Sequence, residues 1–111
     1  MYLNEFDATL QQIQGKWKIV ILYELKESGV VRFNELSRHI EDVSNKTLTA
    51  QLRELEESDL ILRTVFPTVP PRVEYSLTDK GQSIIPLLDA ICNWGLENVN
   101  KDQMQRVLCD E

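Results

Sequence analysis

The sequence predicts a mainly α-helical single domain carrying one small β-hairpin, and three observations predict it. Apolar residues recur at helical spacing in five separate stretches. A β-branched run, "LILRTVF", is followed by an alternating run within "VPPRVEYSLT". Between them sits "PTVPP", whose prolines cannot donate ladder hydrogen bonds and so mark the loop and edge of a hairpin. The 111 residues suit one domain, 1–111, without repeats, low-complexity tracts or an obvious linker.

Taken in order, Phe6 to Gln14 reads as a short helix, because Phe6, Leu10 and Ile13 share a face. Gly15 punctuates it. In "KWKIVILYELKES", Trp17, Ile21, Leu22 and Leu25 form an apolar face, and Gly29 is placed as a stop. That helix is too apolar for the surface and reads as core. "VVRF" reads as a short strand. "FNELSRHI" reads as a helix capped by Asn34, with Leu36 and Ile40 inward. After the turn "EDVS", the Ser44 hydroxyl can accept an orphan N–H of a helix beginning at Asn45. Leu48, Leu52 and Leu55 then lie on its core-facing side. In the hairpin, Val73, Tyr75 and Leu77 alternate with Glu74 and Ser76. Thr78 caps a long helix, "DKGQSIIPLLDAICNWGLENV", which Pro86 should kink or restart. Lys101 to Leu108 reads as a last short helix.

Two short helices joined by a tight turn, followed by a two-stranded ribbon, make the winged helix-turn-helix arrangement. Its second helix is offered to a groove and its ribbon reaches along the backbone. Residues 6–29 then hold the N-terminal helices, 33–58 the helix-turn-helix, 61–77 the wing hairpin and 79–108 the C-terminal helices.

The blocks "GKWKIVILYEL", "RFNEL", "TLTAQLRELEESDLILRTVFPTVPPRVEYSLTDKG" and "ICNWG" resemble HxlR-type bacterial transcriptional regulators, from about Phe6 to Glu97. The resemblance implies a homodimeric, sequence-specific DNA-binding protein whose first and long last helices supply the dimer interface. That assigns Phe6, Leu10, Ile13, Leu87, Leu88, Ile91 and Trp94 to the seam between protomers. Many members carry a cysteine just before the first helix, and in some it senses oxidants or electrophiles. The matching position here is Asn4, so that mechanism does not carry over.

With its three leucines inward, the helix after Ser44 turns Lys46, Ala50 and Arg53 outward, with Thr47 and Thr49 on the flanks. Ala50 is small enough to let the backbone approach base edges. Lys46 and the free N–H groups near Asn45 suit phosphate at a helix N-terminus. Arg72 leaves the proline loop and Arg63 sits on the opposing strand, where arginines can reach phosphate or a narrow minor groove. Arg72 reads first as a DNA contact, with pairing to Glu74 as the alternative.

Composition bounds the alternatives. The formal charge is −6, and Val30–Tyr75 alone carries six basic against eight acidic residues, so affinity for DNA must come from placement. Charges beyond about 8–10 Å are largely screened at physiological salt, so a local basic patch is compatible with that balance. No apolar run approaches the roughly 20 residues of a membrane span, and "MYLNEFDATL" lacks the pattern of a signal peptide. Cys92 and Cys109 form no metal spacing and are too few for a disulfide framework, which points to a reducing cytoplasm. Cys92 reads as a small buried hydrophobe before a redox sensor. His39 reads as a surface or packing histidine. No nucleophile–base pair, paired-carboxylate site or Gly-rich phosphate loop is evident, so neither an enzyme nor a cofactor is expected.

The expected partners are a double-stranded DNA operator and a second copy of the chain; an apolar space between protomers could also hold a small-molecule effector of unknown kind. Repression is the default mode of action. Two other readings stay open: a winged-helix interaction module without DNA binding, and an effector- or redox-responsive sensor.

Overall fold

The computed structural model describes residues 1–109. Helix α1 (Glu5–Ile13) starts where Asn4 Oδ1 accepts the Asp7 N–H at 2.9 Å. The Leu3 N–H and the Gln11 amide donate to the Asp7 carboxylate and hold its pKa below the ordinary value. Helix α2 (Lys18–Ser28) runs through the middle of the molecule, with Ile21, Leu22 and Leu25 fully buried. Lys18 is buried too, at 6% exposure, and its Nζ meets Glu54 Oε1 at 2.9 Å. A buried ammonium needs a counter-charge, and this one is drawn from the opposite helix.

Strand β1 (Val31–Arg32), helix α3 (Phe33–His39) and helix α4 (Asn45–Glu57) follow, then β2 (Ile61–Phe66) and β3 (Arg72–Leu77). Asn34 does not cap α3. The helix begins one residue earlier, and Glu35 Oε1 reaches back to the Arg32 N–H at 2.9 Å. The hairpin is part of a three-stranded antiparallel sheet in the order β1-β3-β2, since Val31 pairs with Tyr75 and Arg32 with Glu74. Along the hairpin, Arg63 faces Tyr75 and Phe66 faces Arg72. Tyr75 points into the core, with Val73 and Leu77 packed beside it.

The expected long last helix is two helices, α5 (Asp79–Ser83) and α6 (Ile85–Asn98). The break falls at Ile84, which lets Pro86 sit in the first turn of α6, where its missing N–H has no helical partner to lose. Beyond α6 there is one 3₁₀ turn, Lys101–Gln103, in place of a helix reaching Leu108.

Three further expectations are corrected. Ile13 and Leu88 are 2% and 1% exposed and belong to the protomer's own core, so neither is available to a second copy. Only the C-terminal end of α1 reaches the core, which separates Ile13 from Phe6 and Leu10. Cys92 is not a free thiol: it is joined to Cys109, because the chain after α6 turns back along that helix.

The C-terminus of α4 is tied by several hydrogen bonds. Asp59 adopts φ 61°, the Leu60 N–H donates to Leu55 O at 3.0 Å and the Asp59 N–H to Glu56 O at 2.9 Å. This is the Schellman closure, with Leu60 and Leu55 as its buried hydrophobic pair. Thr78 Oγ1 then donates to Asp59 O at 2.6 Å, and Lys80 Nζ to Ser58 O at 2.7 Å. Gly81 packs so closely that a Cβ there would collide with the Leu60 carbonyl oxygen. Asp59 occupies a position that favours glycine. Asp59→Gly should therefore stabilise the fold by about 0.5–1 kcal/mol, seen as a rise of several degrees in thermal midpoint. Asp59→Val should lower the midpoint. A fall for the glycine variant would mean that the carboxylate itself holds the junction.

Candidate nucleic-acid interface

Helix α4 is held at its start by a small polar frame. Ser44 Oγ accepts the Thr47 N–H at 3.1 Å and donates to Thr47 Oγ1 at 3.0 Å. Ser37 Oγ of α3 donates to Asn45 Oδ1 at 3.0 Å, which fixes the two helices of the pair against each other. Thr49 Oγ1 donates back to Asn45 O at 2.8 Å. Asn45, Thr47 and Thr49 thus set the helix in place, although Asn45 is exposed and its amide N–H groups are unspent. Lys46, Ala50 and Arg53 are exposed on the opposite side from Leu48, Leu52 and Leu55. This is the orientation the leucine spacing requires.

The sheet brings Arg63 to the same side. Arg53 and Glu56 of α4 and Arg63 of β2 line one cleft of about 280 Å³, with Thr49 and Tyr75 at its base. Arg72 is in a different situation. Its guanidinium lies 4.2 Å from the centre of the Phe66 ring, its cross-strand partner, and its Nε is 3.2 Å from Glu74 Oε2. The contact with Glu74 is one of charge, without hydrogen-bond alignment. Arg63 is therefore the freer of the two wing arginines.

Among the described residues, Lys18, Lys26, Arg72 and Arg106 pair with carboxylates, while Lys16, Arg32, Arg38, Lys46, Arg53, Arg63, Lys80 and Lys101 are in no ion pair. Five of these eight, from Arg32 to Arg63, lie on the stretch from β1 to β2. Of the carboxylates after Arg53, Glu54 is turned back to Lys18, and Glu57 stays exposed. Arg32 stands at the N-cap of α3 and Arg38 in its last turn, directly before α4.

A model of the HxlR-like helix-turn-helix family matches residues 12–103. The chain belongs to that family. An HTH-type transcriptional regulator of Halalkalibacterium halodurans is 50% identical over 86% of this chain and 84% of its own length. An HTH-type regulator of Methanothermobacter thermautotrophicus is 52% identical over 85% of this chain and 71% of its own. Among solved structures, the HTH-type transcriptional regulator ytcD superposes with a TM-score of 0.83 at 44% identity, covering 88% of this chain and 99% of that one. The reduced form of the redox regulator HypR gives 0.81 at 40% identity, covering 86% and 93%. The protein is thus an HxlR-type, DNA-binding transcriptional regulator of the winged-helix class. No described helix is long and apolar enough to cross a membrane, and no described group of His, Cys, Asp or Glu could hold a metal ion.

Glu57 is exposed on the side of α4 that carries Lys46 and Arg53; if that side faces DNA, its carboxylate would repel any duplex that the other contacts do not hold. Glu57→Gln should tighten binding to random-sequence duplex by roughly two- to five-fold and change binding to a preferred site less. Equal tightening on both, measured by fluorescence anisotropy, would remove Glu57 from selectivity.

Proposed function

We propose that this HxlR-family chain acts as a homodimer on an imperfect palindrome. One α4 helix enters the major groove of each half-site, and each wing lies on the flanking backbone. Half-sites would be about one helical turn, ~34 Å, apart. Repression by occupying a promoter is the default action of such a dimer.

The observation that carries this reading is a local cluster of cations. In a chain of net charge −6, Lys46, Arg53 and Arg63 are exposed and in no ion pair on and beside α4, and Arg53 and Arg63 line one cleft. Arg53 and Lys46 serve phosphate or base edges, Ala50 permits close approach, and Asn45, Thr47 and Thr49 hold the reading end of the helix. Arg72, steadied by Phe66, adds a backbone contact from the wing.

The dimer is supported by surface that a lone protomer leaves bare. Phe6 is 80% exposed and Trp94 64%, and Leu10, Leu87 and Ile91 are exposed on the same two helices, α1 and α6. The proposed seam consists of these five residues. Light scattering at micromolar concentration should give a dimer; a monomer would end the two-half-site account.

The DNA-contact test is a salt titration. Each phosphate contact contributes about 0.9 to the slope of log affinity against log salt. Lys46→Ala with Arg63→Ala should lower that slope by about 3 to 4 for a dimer, since two contacts are lost per protomer. An unchanged slope would place the contacts elsewhere.

A redox-responsive variant of this reading rests on a separate observation. Cys109 is joined to Cys92 on α6, and the segment leading to it lays Arg106 on Glu41 at 2.6 Å and on Asp42 at 3.7 Å. Those carboxylates belong to the turn before α4, and Arg106 holds the Glu41 carboxyl below its ordinary pKa. Peroxide would oxidise the two thiols to the disulfide, with release of two waters, and so fix the tail across the turn. The similar HypR is a redox regulator. If the tail regulates, operator affinity should differ at least several-fold between oxidised and reduced protein, and Cys109→Ser should remove the difference. Equal affinity in both states would leave the pair a structural link.

A further inference from the structure

The cleft between α4 and the sheet carries more chemistry than a duplex backbone requires. Thr49, Arg53 and Glu56 follow one another at four- and three-residue spacing along one stripe of α4, and Arg63 and Tyr75 are opposed residues of β2 and β3. With Leu52 they line a space of about 280 Å³. That is just below the range of about 300–1,000 Å³ usual for small-molecule pockets, so the space suits a compact molecule.

Two features of the lining are not explained by the protomer's own packing. Arg53 and Glu56 are three residues apart on one helix face, where opposite charges usually meet. Yet Arg53, Glu56 and Arg63 form no ion pair among the described residues. The Tyr75 ring is 8% exposed and packs in the core, but its hydroxyl makes no hydrogen bond among the described residues. A buried tyrosine ordinarily gives its O–H a partner. This oxygen is not sealed in, so it opens on the cleft. Because the core holds the ring, the hydroxyl is fixed in place before anything binds, which lowers the cost of binding. A guanidinium only donates, so two of them and a phenolic O–H call for an anion rich in acceptors. The Glu56 carboxylate only accepts, so it repels a bare anion and favours one that carries a hydroxyl. A phosphodiester backbone has no hydroxyl to offer there, which separates this site from a contact with DNA.

We propose that the cleft between α4 and the sheet binds a small hydroxylated dianion, either a hydroxy-dicarboxylate or a phosphate monoester of a small polyol. Arg53 and Arg63 take the charged groups, the Tyr75 hydroxyl donates to an anionic oxygen, and Glu56 accepts from the ligand hydroxyl. Arg53 and Arg63 are also cations assigned to DNA above, so the anion and a duplex compete for them. The anion site goes beyond the proposed function and stands without it; the competition rests on that reading.

The test is titration calorimetry on the full-length protein without DNA, at about pH 8, above the second phosphate pKa near 6. The probes are malate and glycerol 3-phosphate, with succinate and methyl phosphate as their references without the hydroxyl. At least one probe should bind once per protomer with a Kd of about 1 mM or tighter, and about five-fold more tightly than its reference. Which probe binds decides between the carboxylate and the phosphate source. Tyr75→Phe keeps the ring and removes the O–H, and should weaken that binding about ten-fold or more, as loss of a hydrogen bond to a charged group does. Arg63→Gln, at an exposed position, should weaken it similarly and does not disturb the core; thermal melts confirm that each variant is folded. No binding by either probe up to about 10 mM, or binding by both folded variants equal to wild type, overturns the site. The competition is read by fluorescence anisotropy with a duplex recovered by selection from a random pool, at constant ionic strength. The bound probe should lower duplex affinity several-fold in wild type. Unchanged duplex affinity with the probe bound overturns the competition and leaves the site standing. A wild type that binds the probe but no duplex brings down the proposed function and the competition, and not the site.

Discussion

Leu48, Leu52 and Leu55 are buried to within 2% exposure against the core that α2 organises, and the placement of everything functional depends on that contact. Three apolar side chains at helical spacing fix the rotation of α4 about its axis, and rotation decides which residues a groove can meet. Burial of each leucine is worth about 1.5–3 kcal/mol, far more than any single surface contact, so the outward face cannot choose its own orientation. The axial position is fixed separately. The Ser44 cap holds one end, and the Asp59–Leu60 closure, with Thr78 and Lys80, holds the other. Because Thr78 follows directly on β3, the same bonds that end the helix also anchor the wing.

The acidity of the domain is compatible with this placement because ion pairing is local. Glu54 lies among the carboxylates after Arg53, yet it turns inward to the buried Lys18. The ammonium needs a partner there, and supplying it from α4 takes one negative charge away from the outer face. At the turn before α4, Glu41 and Asp42 are met by Arg106 from the tail. Neutralising carboxylates from behind leaves arginine and lysine side chains in front uncompensated. With screening over about 8–10 Å, a duplex at the front senses those side chains more than the formal charge of the chain.

The elements of the fold were legible in the sequence where pattern and local chemistry agreed. Ser44 and Thr78 were readable as caps, and the three leucines as an inward face, because each depends on neighbours within a turn or two. The residues that were not legible depend on distance through space. Leu87 and Leu88 are adjacent and apolar, but a 100° step per residue cannot send both the same way; Leu88 enters the core and Leu87 faces out. Phe6, Leu10 and Ile13 share a stripe, and periodicity says nothing about how far along the stripe the core extends. "VVRF" reads as a strand, but its pairing with the middle of β3 is a long-range choice. The cysteine pair was invisible for the same reason, since 17 residues of separation state nothing about where the tail returns.

Asn34 reads as a cap by residue type, but Glu35 satisfies the Arg32 N–H and the helix starts at Phe33, so the Asn34 side chain has no capping role. Long-range attraction would have bound any polyanion. Under the proposed function, selectivity would follow from geometry: a duplex that fits α4 would meet Lys46 and Arg53 together, and one that does not would meet Glu57 and the acidic remainder of the surface.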